Sequence, residues 1–307
     1  LLQASAAYRK FPIDVVAYQI ANERYLNEPD LALPSLEPYE NGFRVGGVKM
    51  VLDGSPQGKT AYLTKPYEVQ PHGQHAEYRG YPIMPAASVD ALFDKFISAD
   101  IPFLAHANGD AAADLFIQAL AKSLEGKRSK DHRSVMIHAQ TVRDDQLDRM
   151  AEMNVIPSYF SAHTFYWGDW HRDSVLGLER GSRISPTASS LAKGITFTVH
   201  NDAPIVPPDV MRLVWATTNR LTRSGQVLGP NERISVEEAL KAVTVNAAYQ
   251  YFEEDLKGTI EVGKQADFVV LSANPLSVAK RNLLNIKVLQ TIARGTTVFS
   301  LEDETAE

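Results

Sequence analysis

Four short segments of this chain share one pattern: an apolar run that ends on a residue able to hold a metal. They are the stretches Val-Lys-Met-Val-Leu-Asp-Gly around Lys49, Pro-Phe-Leu-Ala-His ending at His106, Val-Met-Ile-His ending at His138, and Phe-Thr-Val-His-Asn-Asp ending at Asp202. An apolar run closed by a single polar residue reads as a buried parallel strand with that residue near its C-terminal end. Four in succession predict an α/β fold, a TIM-type (β/α)8 barrel with a metal site at its mouth.

Composition narrows what such a site can be made of. The chain has 307 residues, 44% hydrophobic and 22% charged, the balance of a globular protein. It has no cysteine, so thiolate ligands and disulfides are excluded, and any metal must be held by His, carboxylate or a group built on Lys. The formal net charge is −6, with no basic stripe to neutralise phosphates, so nucleic acid is not an expected partner. No apolar stretch is long enough to span a membrane. The chain opens Leu1-Leu2-Gln3-Ala4 without Met or a signal-peptide pattern. The expected compartment is the cytoplasm.

Along the chain, Leu1–Lys10 reads as the end of a helix stopped by Pro12, and Ile13–Ile20 and Asn41–Val51 as strands. Further strands are expected at Ile101–Ala105, Ser134–Ile137, Val155–Tyr159 and Ile195–Val199. Helices are expected at Ser88–Ala99 with Ser88 as N-cap, at Asp110–Ser123, at Thr141–Met153, ending at Ser189–Lys193, and at Ser235–Tyr251, where Ser235 and Glu238 fit a capping box. Two long loops remain, Asp53–Pro85 and Ser161–Ser185, and loops of that length are usually functional. Gly258–Leu271 and Ile286–Phe299 alternate with period two and read as antiparallel strands beside the barrel. The expected division is a barrel over 1–255 and a C-terminal β segment over 256–307.

The ordered motifs resemble the metal-dependent amidohydrolase superfamily, in particular the branch with N-substituted formamide deformylases and exoenzyme-regulatory proteins. Val48-Lys49-Met50-Val51-Leu52-Asp53-Gly54-Ser55, His106-Ala107-Asn108-Gly109-Asp110, Ile137-His138-Ala139-Gln140 and Asn201-Asp202-Ala203-Pro204 carry it. So do Asn246-Ala247-Ala248 and the run from Lys257 to Leu271. The resemblance extends from about residue 12 to residue 300 and implies a site for one or two divalent ions, most often zinc as a binuclear centre. It implies Lys49 as a carbamate made with carbon dioxide, and His106, His138 and Asp202 as the other ligands.

The branch also uses a His-x-His pair on its first strand, and this chain has none; His72-Gly73-Gln74-His75 is the nearest, and it lies at the wrong place in the order. Counting back from Asp202 makes Ile13–Ile20 the third strand. The barrel then lacks its first two strands, the small β-sandwich domain lacks its N-terminal strands, and the chain reads as the C-terminal portion of a longer polypeptide. An incomplete barrel exposes apolar edges, so a homo-oligomer is expected.

The implied reaction is hydrolysis of a C–N bond (amide, formamide or cyclic amide) in a small molecule, with hydroxide on the metal as nucleophile and Asp202 as general base. His163, in an aromatic loop after the seventh strand, is a candidate to orient a carbonyl. Singly, these residues have plainer readings: Lys49 snorkelling from a strand end, His106 and His138 as core histidines, Asp202 as an N-cap. Asp53 and Asp110 read as outer-shell or turn residues, His200 as pointing to the other side of its strand, and His72, His75 and His132 as solvated. The alternative function is a catalytically inactive fragment or regulatory paralogue that retains the fold.

Overall fold

The computed structural model describes residues 2–126 and 131–304; Leu1 and 305–307, which the expected segments include, lie outside that range. Six strands form one parallel sheet in chain order: β1 (Val15–Ile20), β2 (Phe43–Val51), β3 (Phe103–Ala107), β4 (Val135–His138), β5 (Ile156–Tyr159) and β6 (Thr198–Val199). The helices that precede β3 are α1 (Leu2–Tyr8), α2 (Arg24–Asn27) and α3 (Ala86–Ser98). Next come α4 (Asp110–Leu124), α5 (Asp144–Glu152), α6 (His163–Trp170), α7 (Gly177–Gly181), α8 (Thr187–Ala192), α9 (Val210–Asn219), α10 (Val236–Ala242) and α11 (Val245–Gln250). The sheet curls into six strands of a TIM-type barrel. A second, antiparallel sheet of β7 (Phe268–Leu271), β8 (Val288–Ala293) and β9 (Thr296–Ser300) follows.

Two apolar layers explain why the strand runs are almost continuously hydrophobic. Val48, Met50, Phe103, Ala105 and Met136 face outward into the main core with Phe93 and Phe96 of α3 and Phe116 of α4. The Phe93 ring lies 4.6 Å from Phe103 and 5.1 Å from Phe116, and each such buried ring contributes about 1.5–3 kcal/mol. The intervening residues face inward. Leu104, Val135, Ile137 and Ile156 form a separate inner cluster with Tyr18 and Tyr249, and Leu104, Val135 and Ile156 stand in register across three strands. One step toward the C-terminal ends, His106, Ile137 and Ser158 are in register. An apolar floor therefore sits directly below the level that carries His106 and Ser158, which places the site at the C-terminal face of the barrel.

Several boundaries differ from expectation. Residues 161–185 are not a plain loop: they hold α6, a π-helical turn over His171–Val175, and α7. Ser88 does not cap α3, which begins at Ala86 after Pro85; its hydroxyl donates to Glu23 instead (2.5 Å). The expected helix 235–251 is two, α10 and α11, divided at Thr244, whose φ of −128° and ψ of −93° leave the helical region. Thr244 is β-branched, and its hydroxyl donates back to the Leu240 carbonyl (2.8 Å), a side-chain bond that competes with the helix ladder. The hairpin between β8 and β9 turns on Arg294 and Gly295, both at positive φ (51° and 75°), as a two-residue turn requires.

Candidate metal centre

Three imidazoles stand in a row on the inner face. His106 lies within β3, His138 closes β4, and His200 follows β6. His106 Nδ1 is 3.1 Å from His138 Nε2, and His138 Nδ1 is 3.3 Å from His200 Nε2. His138 has a left-handed backbone (φ 73°), as does Ala139 (φ 44°). Strand alternation ends there, which lets the ring of a residue paired with Ala107 meet His106. Asp202 is also left-handed (φ 56°), and His138, His200 and Asp202 offer ligand atoms all within 4.8 Å of one another. Non-glycine residues in this region are strained, and strain of this kind concentrates at functional sites.

The electrostatics keep the rings neutral. Burial lowers the His138 pKa well below its ordinary value, helped by His200 and His106. Burial, with Lys49 next, brings His200 down to about 3. Burial also lowers His106, against a bond to the Gly54 carbonyl that acts the other way. Burial raises Asp202, opposed by the Lys49 charge. Lys49 acts on His106, His138, His200 and Asp202, and among the described residues its ammonium has no hydrogen-bond or ion-pair partner.

Neutral imidazoles are the form that binds a metal. His106 Nε2 lies 2.9 Å from the Gly54 carbonyl, an acceptor only, so that nitrogen carries the proton and Nδ1 presents its lone pair toward His138. The 3.1 Å gap between the facing nitrogens is close to the edge of a tetrahedron with metal–nitrogen bonds of 2.0–2.1 Å, about 3.3 Å. The donor set therefore fits a divalent ion.

An outer layer holds the candidate ligands in place. Asp53, buried, accepts backbone N–H bonds from Asn108 (2.9 Å), Gly109 (2.8 Å) and Tyr62 (2.9 Å), and lies 3.5 Å from His106 Nε2. Burial pushes its pKa up to about 7 despite those bonds. Gly109 is required: a Cβ there would come within 1.8 Å of the Tyr62 carbonyl. The Asn108 amide donates to the Gly54 carbonyl (2.9 Å) and sits 3.0 Å from His106 Nε2. His200 is steadied by Ser158 Oγ at 3.0 Å from its Nδ1.

His200 corrects the sequence reading, which sent it to the far side of its strand. Residues two apart share a face, so His200 follows Thr198 inward, beside Ser158. His132 is not solvated: its nitrogens meet Ser134 Oγ (2.9 Å) and the Met153 carbonyl (2.8 Å). His72 and His75 are exposed. Asp110 is bonded to Thr64 and faces Arg143, outside the row of imidazoles. His163 is buried on the wall of the site, its ring 6.4 Å from that of His138 and 5.5 Å from that of His171, with Nδ1 unpartnered.

His171 makes the fold acid-sensitive. It is fully buried beside Gln140 (3.1 Å), and burial brings its pKa down to about 3. The unfolded chain takes up a proton near pH ~6.5 that the folded chain refuses until about 3. The stability it contributes is present above the unfolded value and falls with pH through that window, by up to about 1.4 kcal/mol per pH unit. Urea midpoints measured from pH 7.5 to 5 should fall in the wild type and fall less steeply in His171→Gln; equal slopes would contradict this.

A curled parallel sheet with clustered His and Asp side chains at the C-terminal ends of its strands defines a (β/α) barrel with a candidate metal centre. The sequence profile of the amidohydrolase family matches residues 1–299, and the chain belongs to that family. It is 26% identical over 305 residues to YtcJ of Bacillus subtilis, a match covering 97% of this chain and 54% of that protein. It is 27% identical over 195 residues to an N-substituted formamide deformylase of Arthrobacter pascens, covering 62% of this chain and 35% of the relative. The fold is similar to that of an uncharacterized metal-dependent hydrolase from Pyrococcus horikoshii (TM-score 0.75, 25% identity, 91% of this chain and 54% of that one). A metal-dependent hydrolase from Pyrococcus furiosus gives a TM-score of 0.73 at 27% identity, over 90% of this chain and 54% of that one. The chain thus spans about half the length of the relatives it matches.

Proposed function

We propose that this chain carries the metal-holding part of a hydrolase that cleaves C–N bonds, in amides, formamides or cyclic amides of small molecules. The observation that supports this most is the row of neutral imidazoles meeting nitrogen to nitrogen beside Asp202 and within the field of Lys49. In this reading His106, His138 and Lys49, the last as a carbamate, hold a divalent ion, most often zinc, with His200 and Asp202 adjoining. When bound, the ion lowers the pKa of water toward ~7 and polarises a carbonyl. Asp202 accepts the proton of the attacking water and returns it to the leaving nitrogen, a task suited to a carboxylate whose pKa burial has raised. His163 faces the carbonyl oxygen from the wall, with its partnerless Nδ1 free to take part.

The test is release of formate and amine from a panel of N-formyl amines by protein loaded with zinc and bicarbonate. Asp202→Asn is expected to lower turnover by about 100-fold or more while leaving the metal content near that of the wild type. Turnover unchanged in that variant would refute the role of Asp202. Metal binding with no turnover of any amide would favour the non-catalytic, regulatory reading.

A further inference from the structure

The two long connections, 53–85 and 161–185, meet on the face of the barrel that carries the site. Arg180 of α7 stitches them together: Nε donates to the Leu176 carbonyl (2.8 Å), Nη2 to that of Pro66 (2.8 Å) and Nη1 to that of Lys65 (3.4 Å). The Glu68 and Val69 amides donate to the Val175 and Ser174 carbonyls (3.0 and 2.9 Å). A cavity of about 260 Å³ lies between this seam and the turn after β4, with Thr64, Lys65, Thr141, Arg143 and Arg180 in its walls.

The cavity adjoins the metal centre. Thr141 donates to the Asn108 carbonyl from both N (3.1 Å) and Oγ1 (2.9 Å), and the Asn108 side chain sits 3.0 Å from His106 Nε2.

Its charges are unevenly matched. Arg143 is neutralised by Asp110, Asp114 and Asp145 at 3.4, 3.1 and 2.9 Å, and Arg183 by Asp144 at 2.7 Å. Arg180 and Lys65 have no carboxylate oxygen within ion-pair distance among the described residues. Backbone carbonyls take three of the five N–H donors of Arg180 and leave two for a ligand. A half-buried cation with no direct ion pair is costly, and burial lowers its pKa. Asp110, Glu68 and Glu179 act on Arg180 only from beyond ion-pair distance: Asp110 is already bonded to Thr64 and Arg143, and Glu68 and Glu179 are exposed.

We infer that this cavity is a subsite for an anionic group, carboxylate or phosphate, seated on Arg180 and Lys65. Resting on the hydrolase reading, it makes the substrate a C–N compound that bears such a group away from the bond that breaks. Arginine suits the task because its planar donors match the oxygens of either anion.

Calorimetric titration with succinate and, separately, with inorganic phosphate tests this on the whole chain. Saturable binding of at least one anion is expected, weakened about tenfold or more in Arg180→Gln and also weakened in Lys65→Gln. Lys65 is exposed, so that variant keeps the test valid if Arg180→Gln fails to fold. Tighter succinate identifies a carboxylate subsite and tighter phosphate a phosphate subsite. His138→Ala, which damages the metal centre, should leave the affinity unchanged; the subsite then stands even if no amide is hydrolysed. Absence of saturable binding by both anions, wild-type affinity in Arg180→Gln or Lys65→Gln, or loss of binding in His138→Ala would overturn the inference.

Discussion

Arg220→Met should cost about 3–5 kcal/mol of stability, the largest loss expected from a single substitution remote from the metal ligands. Arg220 is fully buried (1% exposed) and caps α9 in a left-handed conformation (φ 52°). Its guanidinium donates to the carbonyls of Leu228 (2.8 Å), Ile184 (2.8 Å), Ser185 (3.2 Å) and Ser182 (3.4 Å). Burial lowers its pKa to about 10, so it remains charged at neutral pH. Methionine fills most of the volume and leaves those carbonyls without their donor, and each buried polar group that loses its partner costs about 1–3 kcal/mol. The effect extends toward the site, because the Ser185 amide donates to the Gln140 carbonyl (2.8 Å), two residues past His138. Urea unfolding measures the loss. A change below about 1 kcal/mol would mean that the carbonyls find other donors.

His138→Ala should weaken zinc binding by more than about 100-fold, beyond what losing an outer-shell partner costs. His138 is the central ring of the three, in contact with His106 through Nε2 and with His200 through Nδ1. Its removal takes a ligand from either grouping, the pair with His106 or the set with His200 and Asp202. His132→Ala is the matched control: that ring is tied to Ser134 and Met153, so zinc affinity should stay at the wild-type level. Competition with a chromogenic chelator reads both. Equal affinity in wild type and His138→Ala would place the metal elsewhere.

The strands and most ligand candidates were legible in the sequence for one reason. A strand covered by helices on one face and barrel interior on the other is apolar throughout, so a terminal polar residue stands out, as His106 and His138 do. What surrounds them was less legible. His200 was misjudged by a simple error of parity, since it lies two residues from both Thr198 and Asp202. The helices in 161–185 were hidden because Phe165, Tyr166, Trp167 and Trp170 spread apolar residues over about half of the circumference of α6, with Asp169 among them, leaving no clear amphipathic period to detect. The division at Thr244 depends on one β-branched residue inside a strong helical pattern. Arg220 looks from the sequence like any surface arginine; only packing shows that its partners are carbonyls, one from Leu228 and the others from a segment some 35 residues earlier. Arg180 and Lys65 acquire meaning only where two patternless loops meet.

Above all, the row of imidazoles with Lys49 is expected to hold a divalent ion. Metal content per chain, by inductively coupled plasma mass spectrometry on protein purified without chelator and then given zinc and bicarbonate, tests it most directly. The expected result is about one or more tightly held ions per chain, absent from His138→Ala. Wild-type protein that retains no ion after that treatment, or His138→Ala protein that retains as much as the wild type, would contradict it.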